Sequence, residues 1–252
     1  MNIKDEYNIK DEYKFYKFGE LVYKKAFNLY KPIYFYWKRK KDRTKIDFLK
    51  EYVKPGMTVV DIGANIGFYS MIFLKLVGEK GKVHSFEPDT LNFNHLVANT
   101  NKYKNIFTNN VAVSDKSGKI KLYRYPLNVE FKTYDMMGES SDFTEIDGVS
   151  LDDYFKNGES VDVIKTDTEG YDSFVVAGMK ELVKRSKNIV LITEFWPFML
   201  KQSGIHPGEF ITQLKDMGFA VKFVDEKAEH IYEKMIDERY YLTDIIAIKS
   251  ST

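Results

Sequence analysis

No cysteine occurs among the 252 residues, which excludes disulfides, thiolate zinc sites and a cysteine nucleophile. No run approaches the roughly 18 uninterrupted apolar residues that a membrane span needs. The opening Met1-Asn2-Ile3-Lys4-Asp5-Glu6 has neither an apolar core nor a cleavage signal, so a cytoplasmic setting is expected rather than secretion. Neither charge is in excess: 38 Lys and Arg face 37 Asp and Glu, a formal net +1. That argues against a protein coating nucleic acid with its whole surface. Arginine is rare among the cations, at Arg39, Arg43, Arg124, Arg185 and Arg239. What is present, 44% hydrophobic and 30% charged residues, is the balance of a soluble globular protein. The length suits one large α/β domain or two small ones.

The neutral total conceals one lopsided stretch. Residues 14–45 hold eleven Lys or Arg against Glu20 and Asp42, a net +9, with ten aromatic side chains interleaved. Ahead of it, NIKDEY at 2–7 recurs at 8–13, a low-complexity repeat. Residues 14–31 suit a helix that Pro32 ends or interrupts. We therefore divide the chain into a basic aromatic arm, 1–45, and a domain, 46–252. The arm either packs back as an ordinary helix or meets a polyanion. Rings beside lysines suit peripheral contact with an anionic membrane or a lipid-linked glycan, and the shortage of arginine makes nucleic acid the lesser candidate.

From Met57 the rhythm changes. Short apolar runs at 57–61, 82–87, 106–113, 161–167, 188–195, 219–225 and 241–249 are interspersed with helix-period segments at 66–77, 89–102, 171–184 and 208–217. Within 171–184, Phe174, Val175, Gly178, Met179, Leu182 and Val183 fall on one helical face. Strands without internal alternation are buried on both sides, so the pattern predicts a doubly wound α/β fold. Residues 118–125, after Val111-Ala112-Val113, read as the second arm of a hairpin. The last two strands, with no helix but only 226–239 between them, read as an antiparallel pair. Residues 126–148 lack a period and read as a lid, a binding loop or a surface insertion.

The first strand runs into Asp61-Ile62-Gly63-Ala64-Asn65-Ile66-Gly67, at the carboxyl edge where open α/β sheets bind ligands. Glycines there let backbone approach a ligand, and the following helix offers free N–H groups to a carboxylate or phosphate. The spacing G-x-x-x-G, with Asn65 where a dinucleotide binder has its second glycine, disfavours a nicotinamide oxidoreductase. Glu87 ends the second strand, 20 residues past Gly67, placed to accept two hydrogen bonds from a ribose diol.

An acid at a strand end followed by G-x-x-x-G is similar to the first motif of S-adenosylmethionine-dependent methyltransferases. The run Asp162-Val163-Ile164-Lys165-Thr166-Asp167-Thr168-Glu169-Gly170-Tyr171-Asp172 resembles the K-x-D-x-E-G signature of their FkbM-type family. Asn110-Val111-Ala112-Val113-Ser114-Asp115 with Gly118, Val149-Ser150-Leu151-Asp152-Asp153-Tyr154, and Leu191-Ile192-Thr193-Glu194 resemble the segments around it. The resemblance covers about 57–225 and leaves the arm outside. It implies a Rossmann-like class I methyltransferase fold, a mostly parallel seven-stranded sheet with an antiparallel last strand. It also implies S-adenosylmethionine as cofactor and O-methylation of a hydroxyl-bearing acceptor, here expected to be a sugar of a glycan or glycoconjugate. Carried over by position, Asp61, Gly63, Ala64, Asn65 and Gly67 would cradle the methionine moiety and Glu87 the ribose. Asn110, Ala112 and Ser114 would border the adenine, and Asp167 would lie beside the sulfonium.

Methyl transfer from an activated donor needs mainly alignment, and a carboxylate at a strand tip can take the acceptor's proton. Asp167 and Glu194 are the catalytic candidates, joined by His206, the histidine that falls in a loop at this edge. A divalent cation on Asp167, Glu169 and Glu194 has chemical precedent in oxygen-ligand sites but is the less favoured reading, and no dedicated metal site is expected. Thr168 and Glu169 read instead as caps for the helix from Tyr171. Trp196-Pro197-Phe198 either stacks on a sugar face or covers the sheet edge. The 126–148 segment is the expected source of acceptor selectivity. Two alternatives stand beside this reading: an RNA methyltransferase served by the basic arm, and a cofactor-binding interaction module without turnover.

Overall fold

The computed structural model describes residues 22–23, 26–124, 131–132 and 143–250. The NIKDEY repeat and most of the expected 14–31 helix lie outside the described residues. In chain order the first elements are α1 (Phe27–Lys41), α2 (Arg43–Tyr52), β1 (Thr58–Ile62), α3 (Phe68–Val77), β2 (Lys82–Phe86), α4 (Thr90–Thr100) and β3 (Ile106–Asn109). There follow β4 (Ala112–Val113), β5 (Gly118–Arg124), β6 (Phe131–Lys132), β7 (Phe143–Val149), α5 (Leu151–Tyr154) and β8 (Val163–Thr166). The last group is α6 (Asp172–Ala177), α7 (Lys180–Arg185), β9 (Ile189–Phe195), α8 (Pro197–Gln202), α9 (Pro207–Asp216), β10 (Ala220–Phe223), α10 (Ala228–Ile231) and β11 (Thr243–Lys249).

Seven strands form one sheet in the order β10-β11-β9-β8-β1-β2-β3. The pairs β1–β2, β1–β8, β2–β3 and β8–β9 are parallel, and β11 inserts between β9 and β10 antiparallel to both. This is the doubly wound architecture expected from the apolar runs. Both faces of the sheet are covered. Val59, Val163, Ile192 and Ile246 pack with Leu49, Phe73 and Leu74 on one side. Val60, Ile62, Ile164 and Leu191 pack with Val175, Leu182 and Phe210 on the other. Adjacent residues of one strand thus enter separate cores, which is why the strands read as continuous apolar runs.

Five local expectations are corrected. The run 106–113 is two strands, with β3 in the main sheet and β4 in a second sheet of order β4-β7-β5-β6. The segment 118–125 does not pair back on 111–113; β5 pairs antiparallel with β7, which in turn runs parallel to β4. Residues 143–148, expected in an aperiodic loop, therefore belong to a strand, while 125–130 and 133–142 lie outside the described residues. The helix expected over 171–184 breaks at Gly178, where a Cβ would stand 2.0 Å from the Ser114 carbonyl oxygen. The stretch 226–239 holds α10 and a 3-10 turn at Tyr232–Met235.

Pro32 neither ends nor starts a helix but lies inside α1. It removes the N–H that would reach the carbonyl of Asn28, and since both residues are exposed, water can satisfy that oxygen. The division expected at residue 45 falls inside α2, whose Ile46 and Leu49 are buried against Phe73 and Val83. This helix is part of the core. Leu49→Ala should cost about 2–5 kcal/mol by urea unfolding with an unchanged denaturant slope, while Leu49→Met costs under about 1.5. A cost for Leu49→Ala near zero would place α2 outside the cooperative unit.

Candidate active site

The turn after β1 is shaped by what it must pack against. Gly63 has φ +68°, and a Cβ on it would sit 2.1 Å from the carbonyl oxygen of Asp167. Any side chain there would push the loop off the tip of β8. Asn65 also takes left-handed backbone, φ 49°, a conformation asparagine tolerates better than most residues. Its N–H donates to Glu87 Oε2 at 2.8 Å, and its Oδ1 accepts from Ile66 N at 2.7 Å. Ala64 N donates to the Phe86 carbonyl at 3.0 Å, and Gly67 caps α3. The loop is thereby fastened to the end of β2, beside the expected ribose position.

Beneath it lies a buried charge cluster. Lys165, in the fully buried β8, places Nζ 3.4 Å from Asp61 Oδ1 and 3.6 Å from Asp167 Oδ2. The same ammonium donates to the carbonyls of Ile62 at 3.4 Å and Gly63 at 3.3 Å, and lies 4.9 Å from the centre of the Tyr69 ring. Asp61 is wholly inaccessible, and its Oδ2 accepts from Ser70 Oγ at 2.6 Å. It supports the loop from below through Lys165 and does not line the open side, contrary to the expectation that it cradles a ligand directly.

Asp167 faces three ammonium groups. Burial works against its ionisation, but Lys165, Lys45 and Lys38 outweigh that and hold it well below the ordinary carboxylate range. Lys38 pairs with Asp42 at 2.9 Å, Lys45 with Asp244 at 2.6 Å, and Asp42 accepts from Tyr69 OH at 2.6 Å. Residues of α1 and α2 therefore complete the site, with Lys38 carried on the part of α1 that follows Pro32, beyond the helix expected over 14–31. Lys165, Lys45, Lys38 and Tyr69 had no assigned role in the sequence reading. A lysine within the apolar run 161–167 was the available signal for the first.

Asp167, Glu169 and Glu194 each bring a carboxylate oxygen within 4.8 Å of the others. Glu194 stands at the end of β9, and its Oε2 is shielded from solvent without a hydrogen-bond partner among the described residues. Burial, then the charges of Asp167 and Glu169, push its carboxyl well above the ordinary range, with Lys45 opposing. The two catalytic candidates are thus pushed apart, with proton affinity lowered at Asp167 and raised at Glu194. α6 starts at Asp172 with Tyr171 at its N-cap, whose side chain makes no cap bond, so Glu169 is not the N-cap residue. It occupies left-handed backbone at φ 55° instead.

The remaining expected residues divide. Glu87 is buried, its two oxygens accepting from Asn65 N and Asp89 N, and burial raises its carboxyl to about 7. Asn110 is exposed at the same edge, its amide donating to the carbonyls of Glu87 at 2.8 Å and Pro88 at 3.0 Å. Ala112 and Ser114 are buried, and Ser114 Oγ contacts Tyr171 OH at 2.9 Å. His206 is the N-cap of α9: its Nδ1 accepts from Gly208 N at 3.2 Å and its Nε2 faces Glu233 at 3.6 Å. Among the described residues no contact joins it to Asp167 or Glu194, so the structure gives it a capping task in place of the catalytic one.

A family model described as the Methyltransferase FkbM domain matches residues 61–221. A curated relative, the 2-O-methyltransferase NoeI of Sinorhizobium fredii, is 28% identical over 153 residues, covering 54% of this chain and 63% of that protein. The chain thus spans less than two thirds of that relative. Among solved structures, a Clostridium thermocellum protein provisionally described as an rRNA methylase has a TM-score of 0.51 at 12% identity, covering 82% of this chain and 95% of that one. That likeness concerns the fold. The methyltransferase FkbM of Methylobacillus flagellatus KT has a TM-score of 0.49 at 15% identity, over 76% of this chain and 43% of that one.

The donor set fits the cofactor's chemistry: an ionised Asp167 for an ammonium, the N–H groups at the start of α3 for a carboxylate, and Glu87 for a ribose diol. Ribose hydroxyls donate, so they bind the carboxylate form of Glu87 and draw off its proton. Affinity for S-adenosylhomocysteine should therefore rise with pH between about 6 and 8 and level off above. Glu87→Gln should weaken binding by about 1.5–3 kcal/mol and flatten that dependence. Calorimetry showing the same slope in the variant would remove Glu87 from the ribose site.

Proposed function

Because the chain belongs to the methyltransferase FkbM family, with the class I fold of S-adenosylmethionine-dependent enzymes, we propose that it methylates a hydroxyl oxygen and that the acceptor is a sugar. The observation that carries the oxygen assignment is Glu194, whose Oε2 is shielded without a hydrogen-bond partner among the described residues and lies close to Asp167, with burial raising its proton affinity. The cofactor supplies a methyl group already activated for in-line displacement. The chain's own residues have the rest of the work. Asp167 holds the positive end of the cofactor, and the surrounding cations keep it ionised while doing so. Glu194, once deprotonated, accepts the proton of the attacking hydroxyl.

The 2-O-methyl specificity in the name of the NoeI relative supports transfer to oxygen. The sugar follows from the family resemblance, and Trp196, part-exposed two residues beyond Glu194, supports it as a stacking surface. Incubation with labelled S-adenosylmethionine and a panel of glycans, lipid-linked sugars and RNA tests the reading. Label in an alkali-stable methyl ether of a sugar is expected, and label in RNA alone would replace the acceptor class.

The pH dependence follows from the sign of the shift. A carboxyl raised by burial is protonated and idle at low pH, so turnover should rise with pH through a value above the ordinary carboxylate range. Glu194→Gln should lower kcat by about two orders of magnitude or more, abolish that limb and leave cofactor affinity nearly unchanged. A variant with the wild-type pH profile would exclude Glu194 as base.

The convergence of Asp167, Glu169 and Glu194 favours one second reading, a divalent cation that acidifies the acceptor hydroxyl. Here the groups compete: Lys45 and Lys38 already neutralise charge that a cation would take. We expect full turnover after exhaustive chelation. Loss that magnesium or manganese restores would install the cation.

A further inference from the structure

The outward side of α1 is built in the opposite sense to an ordinary surface helix. Phe27, Tyr30, Lys31, Tyr34, Phe35 and Lys38 are the partly buried positions, whereas Leu29, Ile33, Tyr36 and Trp37 are 68%, 71%, 64% and 51% exposed. Ile33 follows Leu29 by four residues, and Tyr36 and Trp37 follow Ile33 by three and four, so the four side chains form one stripe along the helix. No described residue covers it. A contiguous apolar row of this kind is uncommon on a free surface and marks a contact site.

The stripe ends in charge. Arg39, Lys40, Lys41 and Arg43 are exposed at its carboxyl end, and α1 contains no acidic residue. Lys40 lies 4.7 Å from the centre of the Tyr36 ring and Lys41 5.0 Å from that of Trp37, so cations are held beside the aromatic members of the row. Aliphatic groups at one end, Tyr and Trp with their polar edges in the middle and cations at the other end match the gradient from acyl chain through interface to anionic headgroup. A second copy of the chain would bring like charges together. A nucleic acid would leave Leu29 and Ile33 in water.

We infer that this face of α1 docks the protein reversibly on an anionic lipid bilayer, with Leu29, Ile33, Tyr36 and Trp37 entering the interface and Arg39, Lys40, Lys41 and Arg43 meeting the headgroups. The inference is independent of the acceptor. It rests on the exposed stripe, whereas the methylation proposal rests on Glu194 and Asp167.

The full chain should cosediment with vesicles of phosphatidylcholine mixed with phosphatidylglycerol, bind phosphatidylcholine alone far less, and be released as salt rises. The double variant I33E/W37E alters only exposed side chains. It should lose mixed-vesicle affinity by about tenfold or more while S-adenosylhomocysteine affinity and the unfolding midpoint stay at the wild-type values. Fluorescence of Trp37 in a Trp196→Phe background should shift to the blue on the mixed vesicles. Failure of the full chain to bind them would overturn the inference, as would wild-type binding by I33E/W37E. So would a dimer in sedimentation velocity, or an RNA complex, that I33E/W37E abolishes.

Discussion

A single ammonium group, buried between the ends of β1 and β8, holds the site together. Lys165 reaches from β8 under the turn after β1, bonding two backbone carbonyls of that turn and standing between Asp61 and Asp167. Burying a lone charge costs several kcal/mol, so the lysine is tolerable only with both carboxylates present, and Asp61 only with the lysine. Each member of the triad compels the others. The consequence for the ligand edge is positional: the loop Gly63–Gly67 and the tip carrying Asp167 are fixed with respect to one another by electrostatics. The contact at Gly63 fixes them again by sterics. Charged side chains, rather than glycine flexibility, give the cradle its shape.

The same cluster explains how two carboxylates a few ångströms apart come to differ. Asp167 is surrounded by Lys165, Lys45 and Lys38, while at Glu194 Lys45 opposes the negative charges of Asp167, Glu169 and Asp172. Stabilising one anion makes the next one harder to form, so ionisation of Asp167 is part of what raises Glu194. A site arranged this way contains a standing counter-charge for a cationic cofactor and, separately, a group able to gain and lose a proton. Both are needed where an uncharged hydroxyl must become a nucleophile beside a cation.

The sequence was a good guide wherever the determining forces act along the chain or across the whole sheet. Doubly buried strands leave an apolar record, so the doubly wound fold and the antiparallel final pair were readable. The count of seven strands came with the family resemblance. The loop at Gly63 and Gly67 and the carboxylates at the tips of β2, β8 and β9 were readable too. It misled where a single distant contact decides. The chain leaves the main sheet at Asn110, whose amide binds the carbonyls after β2. At Gly178 a helix with good periodicity ends, and there the Ser114 carbonyl occupies the space a side chain would need. His206 looked catalytic in a loop, but beginning a helix with the pattern His-Pro-Gly-Glu is also a capping arrangement, and that is the task its ring performs. Lys165 lay in plain view as a cation within an apolar run, which can be read only by asking what must neutralise it.

The N-terminal helix follows from these charges. Asp167 is left ionised in a poorly solvated place, and the balance of cations over it is completed by Lys38 of α1 and Lys45 of α2. Lys38 can face the site only if its helix turns tyrosines and that lysine inward, with Tyr34, Tyr69 and Asp42 as their partners. A helix has one register. Once positions 30, 34 and 38 point to the site, positions 29, 33, 36 and 37 must point away from it. The apolar residues of α1 are thereby committed to solvent by the electrostatic demand of a carboxylate on the other side. A helix free to choose would bury Leu29, Ile33 and Trp37 and expose Lys38, gaining about 25 cal/mol for each Å² of apolar surface removed from water. That it does the reverse ties the surface character of α1 to the chemistry beneath it.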